Sequence, residues 1–393
     1  MKKLIFLLVV STFLALSGCS SSETTSTKKN QEMKEEKVSK EDSLKVYFEP
    51  MIKAVEENDI NRFLEFQNEN NPLFYKEQVR WMEEAINRKK VGWKISVEVG
   101  EIKLKSNNLG SLEMKVSLQY QDYKVFDNFV TYSIIQSNEK WKINDLFFKE
   151  MSEGPLHVYY LDGMDENQVS QILKEASDVI QLYKEQFGWN PQDVHVKLYD
   201  RMEHISATIP TSILNGWNET GESLKILIDT TNSDSSVLQL LAHELSHKML
   251  SDFSNDNVSL FLQEGLAKVL ENSIQRESDG KLSINPGYSL ETENHYLLNI
   301  KEFIPINEIN YLDYKDVHEL YGYGFLVTKY LVETYGFESF MKYAKNLMEY
   351  DYIDLRTEHK LETIAERSTK SLEKVYGPID QLSKEYKAFY EQK

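Results

Sequence analysis

The chain has 393 residues, a formal net charge of −18, 41% hydrophobic residues, eight His and a single Cys. A chain this acidic offers no overall field for nucleic acid or anionic lipid headgroups. One cysteine excludes an intramolecular disulfide, and the length allows more than one folded core.

The first eighteen residues read as an address. Lys2 and Lys3 form a basic start, and the apolar run from Leu4 to Leu16 is too short to span a bilayer comfortably. Leu16-Ser17-Gly18-Cys19 then reads as a bacterial lipobox, with Cys19 as the lipid attachment point. The other reading is an uncleaved signal anchor. The expected location is the bacterial cell membrane, lipid-anchored and facing outside the cytoplasm. Loss of residues 1–18 removes two lysines and moves the formal charge from −18 to −20. Residues 20–43, rich in Ser, Thr, Lys and Glu without apolar periodicity, read with Cys19 as a flexible stalk over 19–43. No later segment is long and apolar enough to span a membrane.

From Leu44 to Met151 the pattern predicts an α+β unit. Leu44, Phe48, Met51 and Val55 recur at helical spacing, with Pro50 implying a kink or a later start. Asp59 is an N-cap candidate for a second helix carrying Phe63 and Phe66, and Val79, Met82 and Ile86 mark a third. Alternation then takes over around Ile95, Met114, Tyr132 and Trp141, with turns at 107–110 and 137–140. Helices followed by a curved antiparallel sheet resemble the cone-shaped nuclear-transport-factor-like or cystatin-like domains of many secreted bacterial proteins.

The second unit, 155–393, opens with a strand at Leu156–Tyr160 and an amphipathic helix through Val169, Ile172, Val179 and Tyr183, ending near Gly188. Strands follow at Val194–Tyr199 and Leu224–Ile228, the second reached through the turn-rich run 215–221. Beyond it the chain reads almost entirely helical. His243-Glu244-Leu245-Ser246-His247 sits at the start of this helical part, behind an apolar stripe of Val237, Leu241 and Leu245. One helical turn separates His243 from His247, so both imidazoles can converge on one cation. Glu264 supplies a carboxylate from the next helix. Two His and one Glu leave a fourth tetrahedral position open to water, the mark of a catalytic rather than a structural Zn²⁺ site. Glu244 beside the first ligand is then the natural general base.

This order of elements, with its His-Glu-x-x-His and Glu-Gly-Leu-Ala segments, resembles the gluzincin metallopeptidases of the thermolysin-like superfamily, in particular their small peptidase-MA-like bacterial members. The resemblance implies His243, His247 and Glu264 as zinc ligands and Glu244 as base. It also implies that the strand at 224–228 is the sheet edge to which a peptide substrate adds. Tyr321-Gly322-Tyr323-Gly324 resembles the family's later helix, which places Tyr321, or in competition Tyr323, as hydrogen-bond donor to the developing oxyanion. Two features depart from thermolysin. Only sixteen residues separate His247 from Glu264, and Lys268 stands where a carboxylate would orient a zinc-bound His. Glu271, on the same helical face as Glu264, is the substitute candidate.

The function these residues imply is zinc-dependent hydrolysis of a peptide or protein substrate. The lack of a Gly-x-Met-Glu-Asn-like segment favours an endopeptidase. The rival is a non-catalytic zinc-binding surface lipoprotein acting as a binding or assembly module, which would be free to lose Glu244. A solute-binding lipoprotein would need two similar α/β lobes that the pattern lacks. His195 alternates with Val194 and Val196 and so points away from them, toward solvent; His157, His204, His295, His318 and His359 have no partner at ligand spacing, and His204 and His318 are the ones to check near a cleft. Oligomeric state is silent.

Overall fold

Helix α1 (Lys40–Glu57) runs unbroken through Pro50. A proline here leaves the Val46 carbonyl without its helical partner, but Val46 is on the solvent side, where water can take that group. The first turn of α1 includes residues 40–43, expected as the end of the stalk. The structure, a computed structural model, describes residues 39–120, 125–210, 216–218, 220–228, 234–354 and 357–392. The leader, Cys19 and the stalk up to residue 38 lie outside the described residues.

Asp59 caps the short α2 (Ile60–Leu64) by accepting the Arg62 amide at 3.0 Å. Asn71 caps α3 (Pro72–Lys90), whose Pro72 sits in the first turn where its missing N–H is not needed. Four antiparallel strands follow as a meander: β1 (Trp93–Leu104), β2 (Leu109–Tyr120), β3 (Phe126–Ser137) and β4 (Lys140–Ile143). The sheet curls, and its inward residues, among them Ile95, Val116 and Ile134, close on Phe48, Phe74 and Trp81 of the helices.

The chain then enters a second sheet of β5 (Phe148–Glu153), β6 (Leu156–Leu161), β7 (Val194–Tyr199), β8 (Gly216–Trp217) and β9 (Leu224–Leu227). Their spatial order is β5-β6-β7-β9-β8, with β6, β7 and β9 parallel and the two outer strands antiparallel. The expectation that 224–228 forms the edge is therefore corrected. β9 is internal, and the edge is β8, which folds back on β9 with Gly216 opposite Ile226 and Trp217 opposite Lys225. Helix α4 (Glu166–Phe187) crosses from β6 to β7, capped by Asp165 and ended by Gly188 at φ 74°.

The short α5 (Met202–Ile205) follows β7, and beyond β9 the described residues are helical apart from one hairpin. They comprise α6 (Asp234–Ser254), α7 (Leu260–Ser273), β10 (Ile274–Arg276), β11 (Leu282–Ile284), α8 (Leu290–Asn299), α9 (Ile306–Ile309), α10 (Val317–Asn346), α11 (Lys360–Tyr376) and α12 (Ile379–Glu391). Helix α10 bends at Gly336, whose φ of 80° only glycine adopts cheaply. A second apolar core fills the space between the five-stranded sheet and these helices. Leu161, Tyr199, Ile205 and Ile209 reach back into the first core, so the two apolar clusters meet along β7. The fold class is α+β. Among the described residues, no helix is long and apolar enough to cross a membrane.

Candidate metal centre

Burial of Leu241 and Leu245 fixes the rotation of α6 and places His243 and His247 on the opposite side, and His243 and Glu244 line a cleft. Tyr183 of α4 locks the same turn by donating to the Ala242 carbonyl at 2.7 Å. Glu264 comes from α7, which crosses α10 at a pair of glycines. A Cβ on Gly265 would strike the Gly324 carbonyl, and a Cβ on Gly324 would strike the Phe261 carbonyl. Only with both glycines can the helices meet backbone to backbone. That crossing sets Tyr321, three residues before Gly324, beside Glu264, one residue before Gly265.

Three ligand atoms converge. His243 Nε2 and His247 Nε2 lie 3.2 Å apart, and Glu264 Oε2 lies 3.5 and 3.7 Å from them. Donors at tetrahedral positions ~2.0–2.1 Å from a zinc ion are about 3.3–3.4 Å apart, so these edges match the ion's size. Oε2 of Glu264 is buried and has no hydrogen-bond partner, a costly state for a carboxylate oxygen and the one a bound cation relieves. The donor set of two imidazoles and one carboxylate thus fits a zinc ion with a position to spare.

The surrounding groups hold these ligands in place. Glu271 Oε2 accepts from His243 Nδ1 at 2.8 Å, which turns Nε2 to the cleft. Lys268, where an orienting carboxylate would stand, instead restrains Glu271 at 2.8 Å. The Tyr314 hydroxyl donates to Glu264 Oε1 at 2.8 Å, leaving Oε2 for the histidines. Burial pulls the His243 imidazole down, but the facing Glu264 carboxylate and the bond to Glu271 outweigh that and hold it at about 10. His247, lacking an orienting carboxylate, is pushed by burial to about 4. Burial works against Glu264 as an anion, yet His247, His243 and Tyr314 draw its carboxyl down to about 2. Burial drives Glu244 up to about 7, opposed by His243. A carboxylate poised near neutrality is suited to both taking and returning a proton.

The cleft has a volume of about 560 Å³ and is lined by Gly216, His243, Glu244 and Tyr321, with His295 and His318 at its exposed side. Gly216 of the edge strand packs directly on the base, and a Cβ there would overlap Glu244 Oε1 and lie 2.5 Å from its Cδ. Burial and the adjacent Glu264 charge raise the Tyr321 phenol, so it stays a protonated donor. Tyr323 is a correction. Two residues on from Tyr321, it faces away from the cleft and donates to the Glu302 carbonyl at 2.6 Å. His204 is likewise remote from the cleft, bonded to Asp200 at 2.5 Å, while His318 does line it. Sequence reasoning missed Gly216 and Tyr314, because both lie outside any periodic segment.

No family model matches the chain, and no curated protein matches it. Among solved structures the chain is similar to an M1 zinc metallopeptidase from Deinococcus radiodurans, at 14% identity and a TM-score of 0.34, over 76% of this chain. A point mutant of that enzyme matches at 13% identity and a TM-score of 0.36. The chain spans 61% of the metallopeptidase's length. A domain of unknown function with a cystatin-like fold from Nostoc punctiforme matches 34% of this chain and 84% of its own, at 11% identity and a TM-score of 0.22.

Proposed function

We propose that the protein is a lipid-anchored, extracytoplasmic zinc metallopeptidase that cleaves internal peptide bonds. The observation that carries this reading is a buried, unpartnered Glu264 oxygen facing two imidazole nitrogens, with a second buried carboxyl, Glu244, beside them at the cleft. His243, His247 and Glu264 would hold the ion. A zinc ion there supplies Lewis acidity toward a carbonyl oxygen and lowers the pKa of water to ~7.

The chain's own groups then divide the work. Glu244 accepts a proton from the attacking water and returns it to the leaving amine. Tyr321 donates to the oxygen on which charge develops. Edge strand β8 borders the cleft, where an extended peptide can align with it. The anchoring half of the reading rests on Leu16-Ser17-Gly18-Cys19 in the sequence.

The test uses peptides blocked at both ends. The wild type is expected to bind one zinc per chain and to lose hydrolysis with a chelator. Glu244→Gln should keep its zinc and lose activity by ~10²–10⁴-fold, the usual share of a general base. Equal activity in the two proteins sinks the reading. Zinc binding with no cleavage by either transfers the case to a zinc-binding module. Cys19→Ala should release the protein from membranes or block its processing, and wild-type fractionation would refute the anchor.

A further inference from the structure

Helix α3 belongs to the N-terminal unit, yet it grips the segment that leads from the edge strand β8 into β9. Lys76 Nζ donates to the Thr220 carbonyl at 2.7 Å. Glu77 accepts from Ser223 Oγ and faces Lys225 Nζ at 3.6 Å. Arg80 Nε donates to Glu222 Oε1 at 3.1 Å, and the other oxygen of Glu222 accepts from Lys225 at 2.8 Å. Gln78 and Trp81 hold the carbonyls of Ala207 and Ser206, each at 2.8 Å. Arg80, Glu77, Glu222 and Lys225 are all buried.

A buried ion network of this kind is weak evidence for stability, because apolar residues of the same volume often serve as well or better. What it adds is position. A one-residue slip of β9 would carry Lys225 to the other face and leave three buried charges without it. Among the described residues strand β8 has two ladder pairs with β9, too few to hold itself in place. One of those pairs is Trp217 opposite Lys225, and the other sets Gly216, which rests on Glu244. Contacts therefore run without a gap from α3 through β9 and β8 to the carboxyl that borders the metal ligands.

We propose that α3 of the N-terminal unit is the positioning element of the edge strand, fixing β8 over Glu244. In consequence the N-terminal unit is a working part of the cleft and not an independent appendage. Its effect on substrate rests on the peptidase reading above, since a peptide that pairs with β8 needs that strand at a fixed place beside Glu244.

The experiment compares full-length wild type, Lys76→Met, Lys76→Arg and Glu222→Gln by hydrogen exchange, zinc content, thermal melting and peptide kinetics. Lys76 is exposed, so Lys76→Met folds even if loss of the buried Glu222 charge unfolds Glu222→Gln. In Lys76→Met, amides of 216–227 are expected to exchange about three- to tenfold faster while those of α6 and α7 hold the wild-type rate. Zinc stays at one per chain, KM rises by a similar factor with a smaller change in kcat, and Lys76→Arg restores both. Exchange at 216–227 that matches wild type in every folded variant overturns the proposal. Exchange that rises evenly across the chain also overturns it, since that marks a general structural role. If the wild type cleaves no peptide, the peptidase reading fails on its own, and the exchange pattern still decides the role of α3.

Discussion

The two oxygens of Glu264 are placed differently, and that asymmetry is what suits it to hold a cation. Oε1 is committed to the Tyr314 hydroxyl at 2.8 Å, so rotation of the carboxylate is stopped with Oε2 facing His243 and His247. Tyr314→Phe removes the donor and keeps the ring that packs 6.3 Å from Trp217. Zinc affinity is expected to fall about 10–100-fold, the usual loss for an orienting partner, in competition with a chromophoric chelator. An unchanged affinity would show that the hydroxyl orients nothing. At this scale the sequence is legible where residues are close in it. His243 and His247 share one helical face, and Glu271 lies two turns beyond Glu264. Tyr314 is fifty positions from its partner in an aperiodic loop, so no spacing announces it. The choice between Tyr321 and Tyr323 depended on how α7 crosses α10 at Gly265 and Gly324, a tertiary fact.

Among the elements, the helices were readable from their apolar stripes and caps, as Asp59 and Gly188 show. The edge strand was not. A strand of two residues has no alternation to detect, so β8 disappeared into the run 215–221 and β9 took its place at the edge. Yet β8 carries Gly216, whose φ lies outside the left-handed region and would accommodate alanine as backbone. Space is the obstacle, because a Cβ there overlaps the Glu244 carboxylate. Gly216→Ala should therefore fold, rotate the Glu244 side chain away, and lower kcat by ~10²-fold, the scale of a displacement near 1 Å at a reacting group. Zinc content should not change, because the ligands stand on α6 and α7. Wild-type kcat in a folded Gly216→Ala protein would mean that the base has room the geometry denies it.

For the whole molecule the decisive fact is how many ionisable groups the two cores enclose. Lys197 bridges Glu77 and Asp145, at 2.5 Å each, where the apolar clusters meet. Burial pulls Lys197 down, but the two carboxylates outweigh it and its ammonium is raised above the ordinary 10.5. Burial alone raises Tyr183, and it is the leading cause that raises Tyr199 and Tyr386, above the ordinary 10.0. The sign is the same for all of them. A raised folded value means that their contribution is complete below the unfolded value and is lost as pH climbs through the folded one. On the acid side the groups oppose each other. Burial raises Glu77 but Lys197 and Lys225 outweigh it, so the stability it adds is lost below pH 4.5, while burial raises Asp145 and folding favours its neutral form. Urea unfolding midpoints of the zinc-free protein should therefore decline from about pH 6.5, where His243 begins to lose its contribution, and fall more steeply above about 10, each group adding a slope of at most ~1.4 kcal/mol per pH unit. The net charge of −18 becomes more negative over the same range, and self-repulsion steepens the fall. A midpoint that holds level to pH 11.5 would show that Lys197 and the buried tyrosines titrate alike in the folded and unfolded chain, and that water reaches the junction between the two cores.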